Sequence, residues 1–93
     1  MSKKKQIVNA PDAAPPGGPY SQAVIAGDFV HLAGATPHRT DRSLVDGSFD
    51  EQARATFDNL AAVAKAAGSS LADAVQARVY LRDMDDFPAM NTV

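Results

Sequence analysis

Gly17-Gly18-Pro19-Tyr20-Ser21-Gln22-Ala23 is the stretch at which a proline-rich lead-in turns into ordered chain. Two glycines open backbone angles that are closed to other residues, and Pro19 then fixes φ at its one allowed value. Tyr20 follows at once, so its phenol is carried on a stiffened turn rather than on a loose loop. A phenol held in this way can donate or accept a hydrogen bond and can take part in acid–base chemistry. Read by itself, the heptapeptide reads first as a turn followed by a half-buried Tyr at the start of a strand.

Upstream, Gln6-Ile7-Val8 predicts a short first strand, and residues 9–16 read as irregular linker. Pro11, Pro15 and Pro16 forbid a helix there and discourage a central strand. Residues 1–16 as a whole are expected to be a mostly flexible or extended lead-in. Lys3-Lys4-Lys5 is a short basic run, read as a solvated end, because a nucleic-acid arm would want more charge with aromatics interleaved.

Downstream, residues 22–26 and 29–33 are two apolar-rich runs separated by Gly27-Asp28. A two-residue Gly-X link between such runs predicts a hairpin, since its twist matches that of the strands. The second run ends at Gly34, where the absent side chain lets another group approach the backbone. Residues 34–47 show no periodicity, and a loop of that length in so small a chain is usually functional or mobile. His31 falls in the second strand and reads as a cross-strand packing residue. His38 follows Pro37 in the loop and is a candidate for lining a site.

Ser48 with Glu51 three residues on is a capping box and sets the start of a helix. Ala53, Phe57, Leu60, Ala64 and Ala67 recur at helical spacing as one apolar stripe. Asp50, Arg54 and Asp58 stand four apart on another face, and Gly68 supplies the stop. After a connector, Val75, Ala77, Val79 and Leu81 alternate with Gln76, Arg78, Tyr80 and Arg82, which predicts a strand with one apolar face. Asp83, Asp85 and Asp86 raise the question of a metal, but they sit where a helix begins, and Asp caps and favours helix N-termini. Pro88 just inside that start agrees. Phe87, Met90 and Val93 open an apolar stripe that stops with the sequence, so the pattern reads as cut short.

Ninety-three residues make one domain at most, residues 1–93, with a core small enough that an oligomer would help it. Apolar residues at 45% and charged residues at 22% mark a globular chain. The net charge of −2 gives no general attraction to nucleic acid or to an anionic membrane. Without cysteine there is no disulfide, thiolate catalysis or cysteine-bound metal. No secretory leader or membrane span is legible, and the expected location is cytoplasmic. Neither histidine has a ligand-spaced partner, and no nucleophile–base pair supports acyl transfer.

Gly18-Pro19-Tyr20-Ser21-Gln22-Ala23, Gly34 with Pro37, Gln52-Ala53-Arg54, Asn59-Leu60, Ala67-Gly68, Val79-Tyr80-Leu81, Asp86-Phe87 and Met90-Asn91 form an ordered series. Together they resemble the YjgF/RidA family of enamine/imine deaminases, from about the first strand to the last residue. The resemblance implies an α+β, chorismate-mutase-like fold, a mixed sheet with two helices on one face, here with the second helix and the C-terminal strands incomplete. It implies a homotrimer with clefts between subunits, hydrolysis of reactive 2-imino acids to 2-keto acids and ammonia, and no cofactor. Of the family's site positions, Tyr20, Gly34 and Asn91 match. Tyr20 would hydrogen-bond in the cleft, Gly34 would offer backbone contact to the substrate, and Asn91 would orient substrate or water.

This sequence also departs from the family. Ala33 and Ala35 flank Gly34 where the family often has Ser and Gln. The family's C-terminal arginine, which grips the substrate carboxylate, and its glutamate, which handles the water, have no counterpart up to Val93. Arg78 and Arg82 are not at the matching position, and guanidinium binding of a carboxylate depends on placement. Two further readings stand beside the enzyme: a non-catalytic, chaperone-like trimer, and a ribonuclease or translation inhibitor of the kind some relatives are described as. The acidic balance speaks against the last.

Overall fold

The Gly27-Asp28 turn joins its two strands as the sequence predicts. In the computed structural model, which describes residues 5–93, strand β2 spans Ala23–Ala26 and strand β3 spans Phe29–Leu32. Gly27 sits at φ +60°, a left-handed angle that a residue without Cβ adopts freely. Strand β1, Gln6–Val8, pairs antiparallel with the other side of β2, so the order is β1-β2-β3. The register aligns Val8, Ala23 and Leu32 in one row and Ile7, Val24 and His31 in the next. Lys3 and Lys4 of the basic run lie outside the described residues.

Because side chains alternate along a strand, Val8, Ala23, Ile25, Val30 and Leu32 share the inner face. Helix α1, Phe49–Ala66, lays Ala62 and Val63 against that face, and together these residues form the core with Ala10, Ala13 and Ala67. Its start is the capping box in part: the Ser48 Oγ accepts from the Glu51 N–H at 3.2 Å. Its end is a Schellman motif, in which the Gly68 N–H donates to Lys65 O and the Ser69 N–H to Ala64 O. Gly68 itself takes φ +81°. The predicted stripe is buried or half-buried at each of its five positions, and Val63 joins it.

Two single turns of 3-10 helix, Leu71–Asp73 and Met84–Asp86, bracket the following segment. The Asp83 carboxylate accepts from the Asp85 N–H at 2.9 Å, the capping role that its position suggested. Helix α2, Phe87–Thr92, begins on Pro88 as its second residue and packs against α1. Between the two turns the structure differs from expectation. The alternating residues 75–82 form no strand, because none among the described residues lies alongside them to close a ladder. Val75 and Tyr80 are 86% and 88% exposed. No helix among the described residues is long and apolar enough to cross a membrane.

Candidate functional site

Two side-chain amides build the wall of the cavity that the sequence pointed toward. Gln22, buried just before β2, accepts from the Ala10 N–H through Oε1 at 2.7 Å. Its Nε2 donates to the carbonyls of Ala10 at 3.1 Å and Ala14 at 2.8 Å. Residues 9–16 are irregular, as their prolines require, and this amide seats them against the core. Asn59, on α1, does the same from the other side. Its Oδ1 accepts from the Ala14 N–H at 3.0 Å, while its Nδ2 donates to Thr36 O and His38 O at 3.2 and 2.8 Å. One helix residue thus ties the lead-in and the loop after β3 together.

The space they enclose is a cavity of about 220 Å³ between the lead-in, the end of β3 and α1. Tyr20, Gly34, His38 and Arg42 all line it. Tyr20 is 51% exposed, at the mouth. Its phenol oxygen accepts from the Gly17 N–H at 3.2 Å, which leaves the phenolic hydrogen free to donate outward. His38 Nδ1 and Thr36 Oγ1 form a hydrogen bond of 2.8 Å. Two of the three site residues expected from the sequence therefore meet here. The third, Asn91, is exposed on α2 and is not among the residues lining the cavity. His31 stands on the outer face of the sheet, its ring 6.5 Å from that of Phe29.

The long loop folds back on itself. A bridge pairs His38 with Leu44, the Val45 N–H donates to Pro37 O, and the Arg39 N–H donates to Ser43 O. At its tip the Asp41 carboxylate accepts from both the Ser43 N–H and the Ser43 hydroxyl, at 2.9 and 2.6 Å. Those bonds, the hydroxyl first, hold the Asp41 pKa below its ordinary value, with a smaller contribution from the Arg39 charge. Arg39 Nη1 donates to Leu44 O at 3.0 Å and to Ser43 Oγ at 3.3 Å. Arg42 went unnoticed in the sequence, because a loop without periodicity gives no signal for which of its side chains meets a cavity.

Comparison with known proteins shows the family and the fold. A family model described as Endoribonuclease L-PSP matches residues 9–93. The chain belongs to that family, the YjgF/RidA family. A RutC family protein of Pyrococcus horikoshii is 41% identical over 90 residues, covering 96% of this chain and 71% of the relative. A protein of Dermatophagoides farinae named 2-iminobutanoate/2-iminopropanoate deaminase is 38% identical over 90 residues, covering 96% and 70%. Among solved structures, that of E. coli TdcF with bound serine matches with a TM-score of 0.88 at 30% identity, covering 94% of this chain and 68% of that one. The fold of this YjgF/RidA family member is therefore the family's α+β fold.

Proposed function

We propose that this YjgF/RidA family member hydrolyses reactive 2-imino and enamine acids to 2-keto acids and ammonia. The observation that carries the reading is the cavity holding Tyr20, Gly34, His38 and Arg42 on one wall system. At about 220 Å³ it is smaller than the ~300–1,000 Å³ typical of drug-sized ligands and suits an acid of a few carbons. The relative named as a 2-imino acid deaminase supports the reaction class, and the relative holding serine supports a small amino-acid-like ligand.

In this reaction water adds to the imine carbon, the resulting carbinolamine loses ammonia, and a ketone remains. No electron is transferred, so the chemistry needs proton placement and orientation only. In this reading the Tyr20 hydroxyl, whose oxygen accepts from the Gly17 N–H, donates to the imine nitrogen or to the water. Gly34, which lines the cavity, would offer backbone contact to the substrate. Asn91 is assigned to orient substrate or water in the assembled cleft, since it does not line the cavity of the single chain.

Assembly belongs to the same proposal. The outer face of the sheet leaves Ile7 69% and Phe29 60% exposed, and a homotrimer that covered this face would place clefts between copies. The test of activity is to generate a 2-imino acid in situ with an amino-acid oxidase and follow its conversion with and without the protein. Faster release of 2-keto acid and ammonia supports the reading, and a rate equal to the spontaneous one removes it.

A further inference from the structure

Two amides of α1, Gln52 and Asn59, stand two turns apart on one face of the helix. Both reach the long loop after β3. The Gln52 Nε2 donates to Val45 O at 2.9 Å, near the end of the loop. The Asn59 Nδ2 donates to Thr36 O and His38 O, near its start. They differ in what else they hold. The Asn59 Oδ1 also accepts from the Ala14 N–H, across 45 residues of chain, and Asn59 lines the cavity, which Gln52 does not.

That second bond makes Asn59 a bridge. At the sheet the two walls of the cavity meet through Gln22, whose amide holds Ala10 and Ala14 and whose carbonyl accepts from the Ala33 N–H at 2.9 Å. Farther out, no backbone hydrogen bond joins residues 9–16 to residues 34–47 among the described residues. Asn59 spans the gap there. An N–H on one side and two carbonyls on the other call for an acceptor and a twofold donor on one short side chain. An amide supplies both, and a carboxylate or a hydroxyl does not.

We propose that Asn59 is a positioning residue that sets the width of this cavity, holding the lead-in and the loop at the separation that admits a short acid. The inference rests on the small-acid reading of the cavity and deepens it by naming what decides ligand size. Asn59 acts through the walls. Ala14 leads toward Gly17 and Tyr20, while Thr36 and His38 follow closely on Gly34. Moving either wall therefore moves Tyr20 against Gly34, and a misplacement of about 1 Å can cost ~100-fold in rate.

The test measures binding of 2-oxobutanoate and of the longer 2-oxohexanoate by calorimetry, well below the melting temperature of each protein. The wild type is expected to bind the shorter acid more tightly. Asn59→Gln keeps the amide on a stem one methylene longer, and should move the ratio of the two affinities toward the longer acid by ~10-fold, the discrimination of about one methylene in a pocket. Asn59→Leu keeps the volume without the hydrogen bonds, and should weaken the shorter acid by ~10-fold through the loosened walls. Gln52→Met removes the other tie from the same face of α1. It should lower Tm yet leave both affinities within about 2-fold of wild type, which a merely structural role for Asn59 would not distinguish from Asn59→Leu. An unchanged ratio in Asn59→Gln overturns the proposal, as does wild-type binding in Asn59→Leu or an equal loss in Gln52→Met. If the wild type binds neither acid, the small-acid reading fails and the width-setting role with it. If the acids bind as expected and no imine is hydrolysed, the proposed reaction alone fails.

Discussion

Gln22 is the residue on which the lead-in depends. It is a buried amide with three hydrogen bonds, all to the backbone of Ala10 and Ala14. Replacing it by Met keeps the volume and leaves the Ala10 N–H and the half-buried Ala14 carbonyl without this partner, while Ala10 O keeps the Ala13 N–H. A buried polar group left without a partner costs about 1–3 kcal/mol. For a chain of this size, each 1 kcal/mol lowers Tm by about 4–8 °C. The Gln22→Met protein should therefore melt at least ~8 °C below wild type by circular dichroism, with loss of protection at the Ala10 amide. A shift within the ~0.5 kcal/mol typical of surface substitutions would show that the amide is not a tie. Nothing in the sequence marked Gln22 as a core residue, because its partners are backbone groups 8 and 12 positions away. Tyr20 and Gly34 were legible because Gly-Gly-Pro and a strand-ending glycine have local meaning. Asn59 was visible as part of a resembling motif, but its role as a tie between two loops was not.

At the scale of elements, the hairpin and α1 were legible in detail and the segment at 75–82 was misread. The hairpin and helix are specified by local chemistry: a Gly-Asp turn, a Ser cap, a spaced apolar stripe and a glycine stop. The alternation of Val75, Ala77, Val79 and Leu81 is just as regular, yet strand identity lies in the partner, and a partner is not a local property. This difference has a measurable consequence. Backbone amides at 75–82 should exchange with solvent at rates near those of an unfolded chain, while amides of β2 and of α1 around Val63 should be the slowest. Comparable protection in the two regions would mean that 75–82 is paired in solution, for instance within an assembly.

At the scale of the molecule, the described core is made largely of small side chains: Val8, Ala10, Ala13, Ala23, Val63 and Ala64. The radius of gyration is 13.9 Å, against about 12 Å expected for a compact chain of this length. Large apolar side chains that could thicken the core, Ile7 and Phe29 among them, face outward on the sheet. Burial of such a side chain is worth about 1.5–3 kcal/mol, a sizeable part of the ~5–15 kcal/mol by which domains are stable. Association through that face is therefore expected, and light scattering should give a trimer mass for the wild type. Phe29→Glu, which would place a charge in each copy's interface, should reduce that mass to the monomer and lower Tm together. A wild-type monomer at micromolar concentration would refute the assembly.

The central claim is that the cavity beside Tyr20 is where a 2-imino acid is hydrolysed, and the most direct measurement is kcat/KM of the wild type and Tyr20→Phe on a freshly generated 2-imino acid. The account predicts that the wild type accelerates hydrolysis above the spontaneous rate. It predicts a roughly 2–12-fold lower kcat/KM for Tyr20→Phe, the equivalent of one neutral hydrogen bond. Tm should stay within ~4 °C of wild type, since the phenol is half exposed. A wild type no faster than buffer, or a Tyr20→Phe protein with full activity, would contradict the claim.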